Sequence, residues 1–64
     1  MSQAINEKLG AWMLEHSESR TSVSQKLNIS RPTFNKRING DSKWKWHEVI
    51  AISELIGVPI DELA

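Results

Sequence analysis

Five consecutive residues, Asn28-Ile29-Ser30-Arg31-Pro32, constrain what this chain folds into more than any other stretch. Asn tolerates the left-handed backbone that ends a helix, and Ile29 can turn inward as a staple. Ser30 can cap the helix that follows, and Pro32 falls in a first turn, where a missing N–H does no harm. The segment predicts a helix, a tight turn and a second helix. The entering helix follows a connector, Ser17-Glu18-Ser19, with Ser19 as its N-cap. Val23 and Leu27 form its buried side, with the small Ser24 beside them. The departing helix buries Phe34 and Ile38 at i and i+4 and stops at Asn39-Gly40, a left-handed exit. Its other face carries Arg31, Thr33, Asn35 and Lys36. Arg37 borders both faces. It can lie on the groove side, or lay its stem over the core and pair its head with an acid of the first or fourth helix, with the second role favoured.

Helical spacing runs through the rest of the chain, with no stretch of alternating β-branched residues. Ile5, Leu9, Trp12, Met13 and His16 lie on one stripe of a first helix, with Ser2 as its cap. Gly10 within it costs about 1 kcal/mol relative to Ala, for which either close approach of a neighbour or simple tolerance accounts. A fourth helix runs from about Trp46 to Ile56, with Val49, Ile52, Ser53 and Ile56 on one stripe, and Gly57 closes it. Val58-Pro59 restarts a last turn, Ile60 to Leu63, with Asp61 and Glu62 near its positive end. The expected fold is all-α, five helices in a single domain over residues 1–64. Its core centres on Leu9, Trp12, Val23, Leu27, Ile29, Phe34, Val49, Ile52 and Ile56. With 64 residues one core is only marginally sufficient, so most apolar side chains are needed in it and little room is left for an active-site cleft.

The net charge of zero hides a segregation. Seven of the eight basic residues, Arg20, Lys26, Arg31, Lys36, Arg37, Lys43 and Lys45, fall between positions 20 and 45, where the only acid is Asp41. The flanks hold Lys8 and the other seven acids. Folded onto one face, such a block is the footprint of a polyanion-binding surface, and it points to nucleic acid. With no cysteine the chain has neither a disulfide framework nor a thiolate metal site, which fits a reducing, cytoplasmic compartment. Apolar runs stop at four residues, Val49 to Ile52, and the start lacks a charged segment followed by a long apolar one. Neither a membrane span nor a secretion signal is expected.

Other chemistries find little support. His16 and His47 stand alone, without a second ligand at i+3 or i+4, so no metal is expected. No serine has a recognisable base partner and no glycine-rich phosphate loop occurs, so neither an enzyme nor a cofactor is expected. The carboxylates read as solvated helix faces and partners of helix N-termini. Trp44 and Trp46, two residues apart across a helix start, cannot share one helical face. One is expected to plug the core and the other to be partly exposed near DNA or a partner.

From Ile5 to Leu63 the chain resembles the five-helix helix-turn-helix domains of the phage-repressor and Cro type. The resemblance rests on Val23-Ser24-x-x-Leu27-Asn28-Ile29-Ser30, on Phe34 with Asn39-Gly40, and on the ending Ile56-Gly57-Val58-Pro59-Ile60-Asp61-Glu62-Leu63. Four positions depart from the usual pattern. Ser24 stands where Ala is common, Asn28 where Gly is, Arg20 where Gln is, and Glu18 where an apolar residue usually precedes the second helix. The resemblance implies a helix-turn-helix over about residues 19–39 whose second helix, about Arg31 to Asn39, enters the major groove of a DNA operator. Arg31, Pro32, Asn35 and Lys36 are then the base-reading candidates. Arg31 suits guanine bidentately, Lys36 does so more loosely, Asn35 suits adenine, and Pro32 suits a thymine methyl. Phosphate contacts fall to Arg20, Ser30, Thr33, Asn39, Lys43 and the Trp44 indole N–H.

The function so implied is sequence-specific double-stranded DNA binding by a small phage or prophage transcriptional regulator. Two alternatives stay open. One is a protein-interaction module on the same fold, an antirepressor or modulator that binds another phage regulator, which the acidic flanks would suit. The other is the DNA-reading part of an antitoxin or of a larger repressor. One short recognition helix reads few base pairs, so a weak homodimer formed mainly on DNA is expected. Its surface would be the outer side of the fourth helix and the last turn, through Ala51, Leu55, Ile60 and Leu63.

Overall fold

The computed structural model describes residues 2–63, with side chains from position 4 onward. Five helices follow one another: α1 (Ser2–Glu15), α2 (Arg20–Lys26), α3 (Arg31–Ile38), α4 (Trp46–Ile56) and α5 (Ile60–Leu63). Among the described residues there is no strand, as the helical spacing predicts. The cap expected at Ser2 lies outside the described side chains.

The first three helices end by one device. Ser17, Asn28 and Gly40 each take a left-handed backbone, with φ of 54°, 60° and 87°. The next N–H in each case reaches back to the last turn: Glu18 N to Met13 O at 2.9 Å, Ile29 N to Ser24 O at 3.0 Å and Asp41 N to Lys36 O at 2.8 Å. The left-handed residues donate in parallel to Leu14 O, Gln25 O and Arg37 O. Paired bonds of this kind satisfy carbonyls that a helix end leaves unpaired, and they turn the chain on the spot. Gly57, with φ of 71°, closes α4. The starts are equally local. Ser19 Oγ accepts the Ser22 N–H at 3.0 Å, and Ser30 Oγ accepts the Thr33 N–H at 3.3 Å. Lys45 precedes α4 with no acceptor in its side chain, and Glu48 instead reaches back to take the Lys45 N–H at 2.8 Å.

Ile5, Leu9, Val23, Leu27, Phe34, Ile52 and Leu63 form the buried core. Trp12, Ile29, Val49 and Ile56, expected at its centre, pack against it half-buried. α2 packs on α3, while α5 packs on α1 and α4. His16 does not lie on the α1 stripe as expected. It follows the helix end, exposed, with its ring 4.6 Å from that of Trp12.

Leu63 corrects the expected dimer surface, because only 2% of it is exposed and it belongs to the core. The left-handed Gly57 and a bond from Ser53 Oγ to Val58 O at 2.7 Å fold α5 back over α1 and α4, which points Leu63 inward. Ala51 and Leu55 are half-buried against the core, and Ile60 is half-buried as well. Among the described residues, the large apolar side chains left outside are Leu14, 85% exposed, and Trp46, 63% exposed.

Two substitutions test this packing. Phe34 is fully buried, so Phe34→Ala should destabilise the fold by about 3 to 5 kcal/mol, enough to unfold a domain this small in a thermal melt. A Cβ at Gly10 would meet nothing within 4 Å, so no neighbouring helix requires the glycine there. Gly10→Ala should therefore stabilise the protein by about 0.5 to 1 kcal/mol in denaturant titration, and a loss of stability would contradict the open space seen around it.

Candidate nucleic-acid interface

α3 has a fixed inner side and a free outer one. Inside, Phe34 sits in the core with the Trp44 ring edge-on to it, centroids 5.9 Å apart at 68°. Arg37 Nε lies 2.9 Å from Glu48 Oε1, and the two side chains are 12% and 3% exposed. The N–H is not aligned on that oxygen, so the contact acts through charge proximity. The pairing realises the structural role expected of Arg37. Glu48, at the N-terminus of α4, is one of the carboxylates that partner a helix start, and it is buried there rather than solvated. Outside, Arg31, Pro32 and Lys36 are exposed, while Thr33 and Asn35 are half-buried on the same helix. Ser30, besides capping α3, donates from Oγ to Thr33 Oγ1 at 2.8 Å.

The segment between α3 and α4 is held from every side. Asp41 and Ser42 donate their N–H groups to Lys36 O at 2.8 and 3.2 Å. Arg37 Nη1 donates to Lys43 O at 3.1 Å and to Ser42 Oγ at 3.4 Å. The Trp44 indole N–H donates to Asn6 Oδ1 at 2.6 Å, and Asn6 Nδ2 donates to Arg37 O at 3.2 Å. Trp44 thus fills the inward place expected for one of the two tryptophans, and Trp46 is the exposed one. The expected phosphate contact from the Trp44 N–H is corrected by the same observation, because that donor is spent inside on Asn6. Lys43, Lys45 and Asn39 remain exposed around this tethered segment.

At the start of α2, Arg20 reaches α3. Its Nη1 donates to Asn35 Oδ1 at 3.0 Å, which brings an expected phosphate contact and an expected base reader into direct contact. Lys26 is engaged elsewhere. Its Nζ lies 3.0 Å from Glu18 Oε2 and 5.8 Å from the centre of the Trp12 ring. Among the described residues, Arg20, Arg31, Lys36, Lys43 and Lys45 have no carboxylate within ion-pair distance. These five cations belong to α2, α3 and the tethered segment. Most of the acids lie on α1, α4 and α5, which pack together. Of the seven cations of the charge block, five therefore keep no carboxylate partner among the described residues.

Comparison of the chain with family models, with curated proteins and with solved structures finds no match. The geometry itself adds two residues to the site that the sequence does not single out. Asn6 ties α1 to Trp44 and to Arg37, and Glu48 neutralises Arg37. A polar residue on the core side of a helix is the available signal for Asn6, one position from Ile5 in an otherwise apolar stripe. Glu48 carries the N3 position of a capping box as its signal.

Glu18 is engaged as well. Its carboxylate accepts from Ser22 Oγ at 2.6 Å and from Lys26 Nζ at 3.0 Å. These two bonds, led by that from Ser22, hold its pKa below the ordinary 4.5. A carboxyl with a folded pKa below its unfolded one adds stability that is complete above the ordinary value. That stability is lost as pH falls through the lowered value. Glu18→Gln should therefore flatten the fall of melting temperature on acidification below pH 4.5. An acid branch identical to the parent's would show that the carboxylate is not engaged in solution.

Proposed function

We propose that this chain is a small transcriptional regulator that binds double-stranded DNA sequence-specifically, with a lambda-repressor-like helix-turn-helix formed by α2 and α3. The observation that carries this reading is the set of five cations that have no carboxylate partner among the described residues, on α2, α3 and the segment after α3, beside a helix whose outer side is otherwise Pro32, Thr33 and Asn35. Clustered cations left unpaired gain most from a polyanion, and an α-helix has the width to enter the major groove. A second support is the way α3 is fixed. Base reading needs side chains held on a rigid element, and Phe34, Arg37 and the tethered segment fix α3 on its inner side.

On this reading Arg31, Pro32, Asn35 and Lys36 face base edges. Arg20, Ser30, Thr33, Asn39 and Lys43 hold phosphates, and Lys45 joins them by its exposure beside Lys43. Two copies on a pseudo-palindromic site, with half-sites about 34 to 36 Å apart, would supply the length of DNA that one α3 does not read.

Selection from a random duplex pool followed by binding at several salt concentrations tests the proposal. Affinity should fall with salt at a log-log slope near −0.9 for each phosphate neutralised, about −4 for four such contacts. Arg31→Ala should reduce discrimination between the selected site and random DNA by about 1 to 3 kcal/mol, whereas Lys43→Ala should weaken both to a similar degree. Salt-insensitive binding, or Arg31→Ala with full selectivity, would instead favour a surface that meets another regulator.

A further inference from the structure

We propose that Arg20 dictates what Asn35 reads: it holds Asn35 as a hydrogen-bond donor, so that this position of the interface takes guanine or thymine and rejects adenine. The inference rests on the DNA-reading role of α3 and carries it to one base position. The bond from Arg20 Nη1 to Asn35 Oδ1, 3.0 Å long, joins the first residue of α2 to the outer side of α3. A guanidinium has donors only, so the amide oxygen of Asn35 must face it and the amide NH₂ must face away. The orientation follows from chemistry and does not depend on how the two amide atoms are assigned.

An asparagine pairs with adenine by using both ends of its amide, with the oxygen taking the N6 hydrogen and the NH₂ giving to N7. With its oxygen turned to Arg20, Asn35 offers the groove its NH₂. The cation behind that oxygen adds a field that opposes the donor edges of adenine N6 and cytosine N4. The same field favours guanine O6 and N7 and thymine O4, whereas adenine offers one acceptor, N7, beside the opposed N6 donor and so ranks below guanine. Asn35 is half-buried while the bond itself lies at the exposed surface, and the packing of α2 on α3 brings its two ends together. Arg20 itself is exposed and has no carboxylate partner among the described residues. Its remaining N–H groups stay free for a phosphate. One guanidinium then links a backbone contact to a base choice, and Arg20 acts as a positioning residue for specificity as well as an anchor.

Selection from a random-sequence duplex pool decides the matter, using the parent chain, Asn35→Ala and Arg20→Met. Asn35→Ala identifies the base position by erasing preference there. The parent should show guanine or thymine at that position, and Arg20→Met should shift the preference toward adenine on the order of tenfold. Should Arg20→Met bind too weakly for selection, defined duplexes carrying guanine or adenine at that position are compared at low salt. The guanine-over-adenine ratio must then fall in Arg20→Met as it does in Asn35→Ala. A parent that selects adenine there, or an Arg20→Met protein with the parent's ratio, overturns the proposal while leaving DNA binding intact. A parent that enriches no sequence at all defeats the DNA-reading role itself.

Discussion

The buried contact between Arg37 and Glu48 is the interaction on which the rest of the arrangement depends. Removing two charges from water costs several kcal/mol per ion, roughly, and the pair is tolerable only if other groups share the load. They do so here. The Lys45 N–H donates to the same Glu48 oxygen that faces Arg37. The Arg37 guanidinium also donates to Lys43 O and Ser42 Oγ, and the Arg37 carbonyl takes the Asn6 amide. Through this one residue, by its side chain and its carbonyl, α3, α4, α1 and the segment after α3 are tied together. An apolar pair would fill the space, but it would not fix the path of residues 41–45.

That path matters because the cations along it have no carboxylate partner among the described residues. Five basic side chains without carboxylate partners in one region repel one another, and at moderate salt the screening length of about 8 to 10 Å softens this without abolishing it. The acids that balance the formal charge sit mainly on α1, α4 and α5, where Lys8 lies 3.8 Å from Glu62. Lys26 alone of the α2 cations is neutralised, by Glu18. The molecule is therefore neutral in sum, with most of its acids on helices other than those that carry its carboxylate-free cations among the described residues.

Much of this fold is legible in the chain because its turns are written in local chemistry. Asn28, Gly40 and Gly57 adopt the left-handed backbone that their types suggest, and Ser19 and Ser30 cap the helices that follow them. Ser17 takes the same left-handed backbone with no sequence signal for it. The bond from Glu18 N to Met13 O selects that conformation against the local preference of serine. What stays hidden depends on contacts between distant positions. Spacing alone puts Leu63 on either side of a single turn, and only the fold-back at Gly57 decides that it faces in. Trp44 offers an N–H that looks free until Asn6, far away in the sequence, takes it. The bond between Arg20 and Asn35 belongs to the same class, since it depends on how α2 lies across α3.

The central claim, that the outer side of α3 and the cations around it meet duplex DNA, is tested most directly by residue-resolved NMR. The amide and side-chain signals of the labelled chain are followed while a duplex recovered from a random pool is added. Shifts should concentrate at Arg20, at Ser30 to Lys36 and at Lys43 to Trp46, with α1 and α5 little changed. Shifts confined to α1, α4 and α5, or none at concentrations where other polyanions also leave the spectrum unchanged, would contradict it.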